Sequence, residues 1–123
     1  DFTGLVDDTA PYYAAADAFV LPTLYDPCSL SVLEAAASGL PTITTRANGA
    51  GELLRDDWDG YVLDDPLDVG ALAERMNRLI DTSRRQRMGM AARQTMLGHT
   101  LDRNCDELLA IYDEVVGRRR WAA

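Results

Sequence analysis

Apolar positions change their spacing along the chain, and the change divides it in two. Up to about residue 66 they come in short runs broken by turn residues; beyond that they recur at helical spacing. Residues 2–6, beginning Phe2-Thr3-Gly4, read as a weak strand or strand end. Asp7, Asp8 and Thr9 then supply turn and capping chemistry. Thr9 is placed to cap a helix with Pro11 in its first turn, continued by Tyr12, Tyr13 and the alanines at 14–16. Ala18-Phe19-Val20-Leu21 is a continuous apolar run, the pattern of a strand buried on both faces, and Pro22 closes it. A helix is expected from about Ser29 to Ser38, with Gly39 ending it in a left-handed conformation. Residues 41–45 are β-branched and predict the next strand. Asn48-Gly49-Ala50-Gly51 reads as a turn, leading to a short helical turn around Glu52, Leu53 and Leu54. A third strand follows at 60–63, closed by Asp64-Asp65-Pro66.

The remainder reads as helical. Leu67, Leu72, Met76, Leu79 and Ile80 form an apolar stripe, with Asp68 as its cap. A second helix spans about 83–97. Thr100 caps a third, on which Leu101, Cys105, Leu108, Leu109, Tyr112 and Val116 share a face, and Arg118-Arg119-Arg120 makes a basic tail. Alternating strands and helices predict an α/β fold: a Rossmann-like parallel sheet with flanking helices, then a helical C-terminal tail. We expect one domain over 1–123, with its α/β part at about 1–66 and its helical part at about 67–123. The chain opens on Asp1 and offers only three or four strands, so we expect it to be a truncated piece of a larger domain.

Composition narrows the partners. With 123 residues, 47% hydrophobic and 26% charged, the chain can bury one core and is not of disordered type. A net charge of −8 disfavours nucleic acid, which needs a basic face. Cys28 and Cys105, 77 positions apart, make no metal or redox motif and favour a reducing, cytoplasmic setting. No stretch reads as a membrane span or a signal peptide.

Candidate chemistry concentrates between Tyr25 and Pro41, where Asp26 and Glu34 stand eight positions apart. Ligands of open parallel sheets bind outside the carboxyl ends of the strands. The helix starting near Ser29 would point its N-terminus at that edge, offering unpaired N–H groups and the positive end of its dipole to a phosphate. Carboxylates repel phosphate but accept hydrogen bonds from paired hydroxyls. A diphosphate flanked by diols, as in a nucleoside diphosphate sugar, would satisfy all three features. Each residue also has a plainer reading. Asp26 before Pro27 could be a helix cap, Glu34 a solvated helix residue, and Asn48-Gly49 a turn. Cys28 could be a small buried residue, and His99, the only histidine, part of a helix-start turn far from these loops.

Several motifs in fixed order resemble one family. They are Phe2-Thr3-Gly4, the run Tyr13-Ala14-Ala15-Ala16-Asp17-Ala18-Phe19-Val20-Leu21-Pro22, and Leu33-Glu34-Ala35-Ala36-Ala37-Ser38-Gly39-Leu40-Pro41. Gly49-Ala50-Gly51-Glu52-Leu53 and Asp59-Gly60-Tyr61-Val62-Leu63 follow. Together they look like the C-terminal, donor-binding domain of retaining glycosyltransferases of the GT-B fold, glycosyltransferase family 4 or glycosyl transferases group 1. The branch most resembled is the lipopolysaccharide core glucosyltransferases. The resemblance implies transfer of a sugar from a nucleoside diphosphate sugar, a UDP-sugar by likeness, to a glycan or lipopolysaccharide-type acceptor, with no metal or other cofactor. It implies that Glu34 holds the donor ribose, that Asp26 meets the donor sugar hydroxyls, and that the loop Pro27-Cys28-Ser29-Leu30 meets the diphosphate, through the backbone N–H groups of Ser29 and Leu30. The family's first acid is a glutamate, so Asp26 is a departure, one methylene shorter. The resemblance further implies an acceptor-binding N-terminal domain and basic residues outside this chain. The parent would then be a hexosyltransferase, cytoplasmic or peripheral at the inner membrane face, while this chain alone is inactive. Separately, a sheet cut at one side exposes an unpaired strand edge and apolar surface, so we expect the chain either to self-associate or to be poorly stable. A non-catalytic nucleotide-sugar-binding module and a GT-B sugar-nucleotide epimerase are the rival readings.

Overall fold

A computed structural model describes residues 1–120, with side chains through Gly117; the side chains of the Arg118–Arg120 tail lie outside the described residues. The first regular element is α1, Ala10–Ala15. The strand expected at 2–6 does not form: these residues have no sheet partner, and Phe2 and Leu5 stand fully in solvent. A strand is defined by the neighbour that takes its hydrogen bonds, and a weak apolar run cannot supply one alone. The cap of α1 also differs from expectation. Thr9 occupies the capping position without a side-chain bond to the N–H groups of the first turn, while Asp8 Oδ1 accepts from the Ala10 N–H at 3.0 Å.

Three strands follow in one parallel sheet: β1 (Phe19–Val20), β2 (Thr42–Thr45) and β3 (Tyr61–Leu63), lying side by side in chain order. Phe19 registers with Thr42, and Ile43 with Tyr61. Alternation along the strands assigns side chains to two cores. Phe19, Leu21 and Val62 pack with Val32, Ala36, Ala92 and Met96 on one face; Val20, Ile43, Tyr61 and Leu63 pack with Leu79 and Met88 on the other. β2 is buried throughout, as its central place requires. β1 is only half-buried, contrary to the expectation of burial on both faces, because it is the sheet edge.

The first face is covered by α2 (Leu30–Ala37) and by α4 (Thr82–Met96), which packs on α2. Their contact is close enough that a Cβ at Gly89 would stand 2.0 Å from the Gly39 carbonyl oxygen. Gly39 itself has φ +87° and ends α2 as its sequence position predicts. The second face is covered by α3 (Val69–Arg78), capped by Asp68 through the Ala71 N–H at 2.8 Å. Its stripe is only partly used: Leu79 is buried, whereas Met76, Leu67 and Ile80 are exposed. The last helix, α5 (Leu101–Arg120), is capped by Thr100 at the Arg103 N–H and presents its apolar face to solvent. No helix among the described residues is long and apolar enough to cross a membrane.

Candidate functional site at the carboxyl edge of the sheet

Two loops leave the carboxyl ends of β1 and β2 and dock on each other. The Asp26 N–H donates to the Ala47 carbonyl and the Gly49 N–H to the Asp26 carbonyl, both at 3.0 Å, forming a single parallel bridge between Asp26 and Asn48. The approach leaves no room for a side chain at Gly49, whose Cβ would stand 1.9 Å from the Pro27 carbonyl oxygen. The loops are also tied to the strand ends. Thr44 donates to the Leu21 carbonyl at 3.1 Å and Thr45 to the Thr23 carbonyl at 2.7 Å.

Asn48 is the joint. Fully buried, its Oδ1 accepts from the backbone N–H groups of Ser29, at 3.1 Å, and Ala50, at 3.0 Å, while Nδ2 donates to the Thr44 hydroxyl at 3.0 Å. The sequence predicts only a turn at Asn48-Gly49, with no sign of this role. The turn is present, and its asparagine caps the short 3₁₀ helix Gly49–Leu53. The second bond, reaching back 19 residues to the mouth of α2, has no local signal.

This arrangement sets the mouth of α2. Ser29 is its N-cap residue and is buried. The Ser29 N–H already has a partner in Asn48, which removes it from the donors open to a ligand. The following N–H groups, from Leu30 onward in the first turn, have no intrahelical acceptor. Leu33 is the first to bond back, to the Ser29 carbonyl. Cys28 is exposed rather than buried, since the loop carrying it lies on the surface.

The two acids are held differently. Asp26 is half-buried, and its Oδ1 accepts from the Cys28 N–H at 3.1 Å, closing an Asx turn. It shapes the loop without capping α2. Glu34 lies on the exposed side of α2, and its Oε2 accepts from the Tyr13 hydroxyl at 3.0 Å. Burial, and then the bond to Glu34, raise the Tyr13 hydroxyl above its ordinary pKa. That group stays a donor at neutral pH. None of the hydrogen bonds of the two acids is shared.

A groove of about 390 Å³ opens beside the same helix end, lined by Cys28, Leu30, Leu33, Leu53, His99 and Arg103 among others. His99, expected far from the loops, therefore shares a wall with Cys28. The groove includes neither Asp26 nor Glu34, and Glu107 on its rim is bonded to Arg103 at 2.8 Å.

Comparison with known proteins places these residues in context. The family model described as "Glycosyl transferases group 1" matches residues 1–82. A GDP-mannose-dependent alpha-mannosyltransferase of Mycolicibacterium smegmatis is 38% identical over 110 residues, which is 89% of this chain and 29% of that protein. The lipopolysaccharide core biosynthesis glycosyltransferase LpsE of Rhizobium meliloti is 33% identical over 98 residues, 79% of this chain and 28% of that protein. Among solved structures, Anabaena Alr3699/HepE in complex with UDP superposes with a TM-score of 0.71 at 25% identity, over 80% of this chain and 29% of that one. The chain thus spans less than a third of the length of the curated relatives it matches.

Proposed function

This chain belongs to the glycosyl transferases group 1 family, and we propose that it forms the donor-binding part of a retaining, metal-independent hexosyltransferase. The observation that carries the reading is the mouth of α2: a helix N-terminus aimed at the carboxyl edge of a parallel sheet, with one exposed carboxylate, Glu34, on the same helix. In this reading the diphosphate of a nucleotide sugar meets the Leu30 N–H and the positive end of α2, which stabilise the charge that grows on the leaving diphosphate. Glu34 accepts from the ribose hydroxyls. Asp26, with its Oδ2 unbonded among the described residues, accepts from the sugar. Pro27 and Cys28 shape the loop against Gly49 and come within reach of the same ligand. The acceptor, a glycan or lipopolysaccharide-type sugar, would be brought by parts of the protein outside these residues. Two unpaired, exposed cysteines support a reducing, cytoplasmic setting.

A UDP-sugar is our first choice of donor, supported by the UDP complex of a protein with the same fold. GDP-mannose is the second, favoured by the mannosyltransferase at 38% identity. Calorimetric titration of UDP, UDP-glucose, GDP and GDP-mannose separates them. A carboxylate accepting hydroxyls contributes about 1.5–3 kcal/mol, so Glu34→Ala is expected to weaken the preferred nucleotide roughly ten- to hundredfold. Unchanged affinity in that variant would remove Glu34 from the site and the donor reading with it.

A further inference from the structure

Glu34 is an exposed side chain on one turn of helix, and such a side chain ordinarily samples many rotamers. Here it does not hang free. The Tyr13 hydroxyl donates to Oε2 at 3.0 Å, across 21 residues of chain. Tyr13 is itself fixed: its ring stands edge-on to Phe19 of β1, with centroids 6.0 Å apart and planes inclined by 69°. The sheet therefore holds Phe19, Phe19 holds Tyr13, and Tyr13 holds one oxygen of Glu34.

We propose that Tyr13 is a positioning residue for the nucleotide ribose, acting through Glu34; the proposal rests on the donor reading above. An ionised carboxylate has about four acceptor positions. One is taken by Tyr13, which leaves Oε1 and the second lone pair of Oε2 for a pair of vicinal hydroxyls. Holding a glutamate in one rotamer before the ligand arrives removes an ordering cost that binding would otherwise meet. Tyr12, its neighbour in sequence, has no such bond and stands exposed, so the role belongs to one tyrosine of the pair.

The test compares UDP with 2′-deoxy-UDP, and GDP with 2′-deoxy-GDP, in the full chain carrying Tyr13→Phe, Glu34→Ala, or both. Phenylalanine keeps the ring against Phe19 and removes only the donor, and thermal midpoints verify that the fold is kept. The wild type is expected to prefer the ribonucleotide. Tyr13→Phe should shrink that preference about fivefold, the size of one hydrogen bond, while hardly changing affinity for the deoxynucleotide. Glu34→Ala should abolish the preference, and adding Tyr13→Phe to it should change nothing further. A preference unaltered by Tyr13→Phe but lost in Glu34→Ala overturns the role of Tyr13 alone. A preference unaltered in both overturns the ribose role of Glu34, and this proposal falls with it. If Tyr13→Phe lowers the thermal midpoint, 3-fluorotyrosine at position 13 replaces it. That residue keeps the shape and strengthens the donor, so an unchanged ribonucleotide preference overturns the proposal.

Discussion

Asn48 shows how much a single side chain can carry. It takes two backbone N–H donors, from Ser29 and Ala50, and gives one to Thr44, all without solvent. A buried donor that loses its acceptor costs about 1–3 kcal/mol. Asn48→Ala orphans two N–H groups at once, so we expect it to lower unfolding free energy by about 3 kcal/mol. The urea midpoint should fall with the slope unchanged. The same variant should weaken nucleotide binding, because the mouth of α2 is no longer held to β2. A midpoint within experimental error of the wild type would show that the asparagine is merely a turn residue. Asp59 makes a similar local network, buried and accepting from the Arg55 N–H at 2.5 Å and the Thr95 hydroxyl at 2.8 Å. That carboxylate explains why the turn before β3 closes against α4 instead of swinging free.

Among the elements, the start of α4 carries a pH-sensitive group. α4 begins at Asp81, whose Oδ1 accepts from the Arg84 N–H at 2.8 Å. That bond is the main reason its carboxyl lies below the ordinary value of 3.8. A carboxyl whose folded pKa is depressed binds protons more readily when unfolded. Its stabilisation is therefore complete above the unfolded value and fades as pH falls from about 3.8 through the folded value. Asp81→Ser keeps a capping oxygen without the titration, so the thermal midpoint of that variant should fall less steeply with acid than that of the wild type. Equal acid slopes in both proteins would exclude Asp81 as a source. The start of α4 was also close to what its sequence predicts, and so were α2, β2, β3 and Gly39, because caps, spacing and β-branching act within a few residues. What local pattern could not reveal was set by distant partners. Residues 2–6 lack the neighbour that would make them a strand, β1 is half-buried because it is an edge, and Cys28 is exposed because its loop docks on Gly49 by backbone. Glu34 and Asp26 could be picked out as candidate acids by type and spacing. Their actual partners, Tyr13 and the Cys28 N–H, depend on how α1 and the loop settle against the sheet.

At the scale of the whole molecule, apolar surface is unevenly covered. α5 is 20 residues long and exposes Leu101, Leu108, Leu109, Ile111, Tyr112, Val115 and Val116. An isolated helix is marginal in water unless its apolar face is packed. The edge of β1 is unpaired among the described residues, and beside it a groove of about 310 Å³ is lined by Val20, Ile43, Met76 and Ile80. Unpaired edges and contiguous apolar patches promote association. We therefore expect the 123-residue chain to self-associate at concentrations of tens of micromolar (~10–50 µM), within the micromolar range where exposed apolar surface aggregates. Sedimentation velocity should show mass rising with concentration. The two surfaces predict different remedies. If α5 is responsible, Leu109→Glu with Tyr112→Glu restores the monomer, since two charges on one face cannot be buried without partners. If the sheet edge is responsible, that pair leaves association intact and Val20→Lys disperses it. We expect the α5 variant to be the one that succeeds, because its exposed apolar face is the longer of the two and needs no backbone register to meet a second copy. A monomer at every concentration tested would show that α5 holds its conformation without a partner, contrary to this expectation.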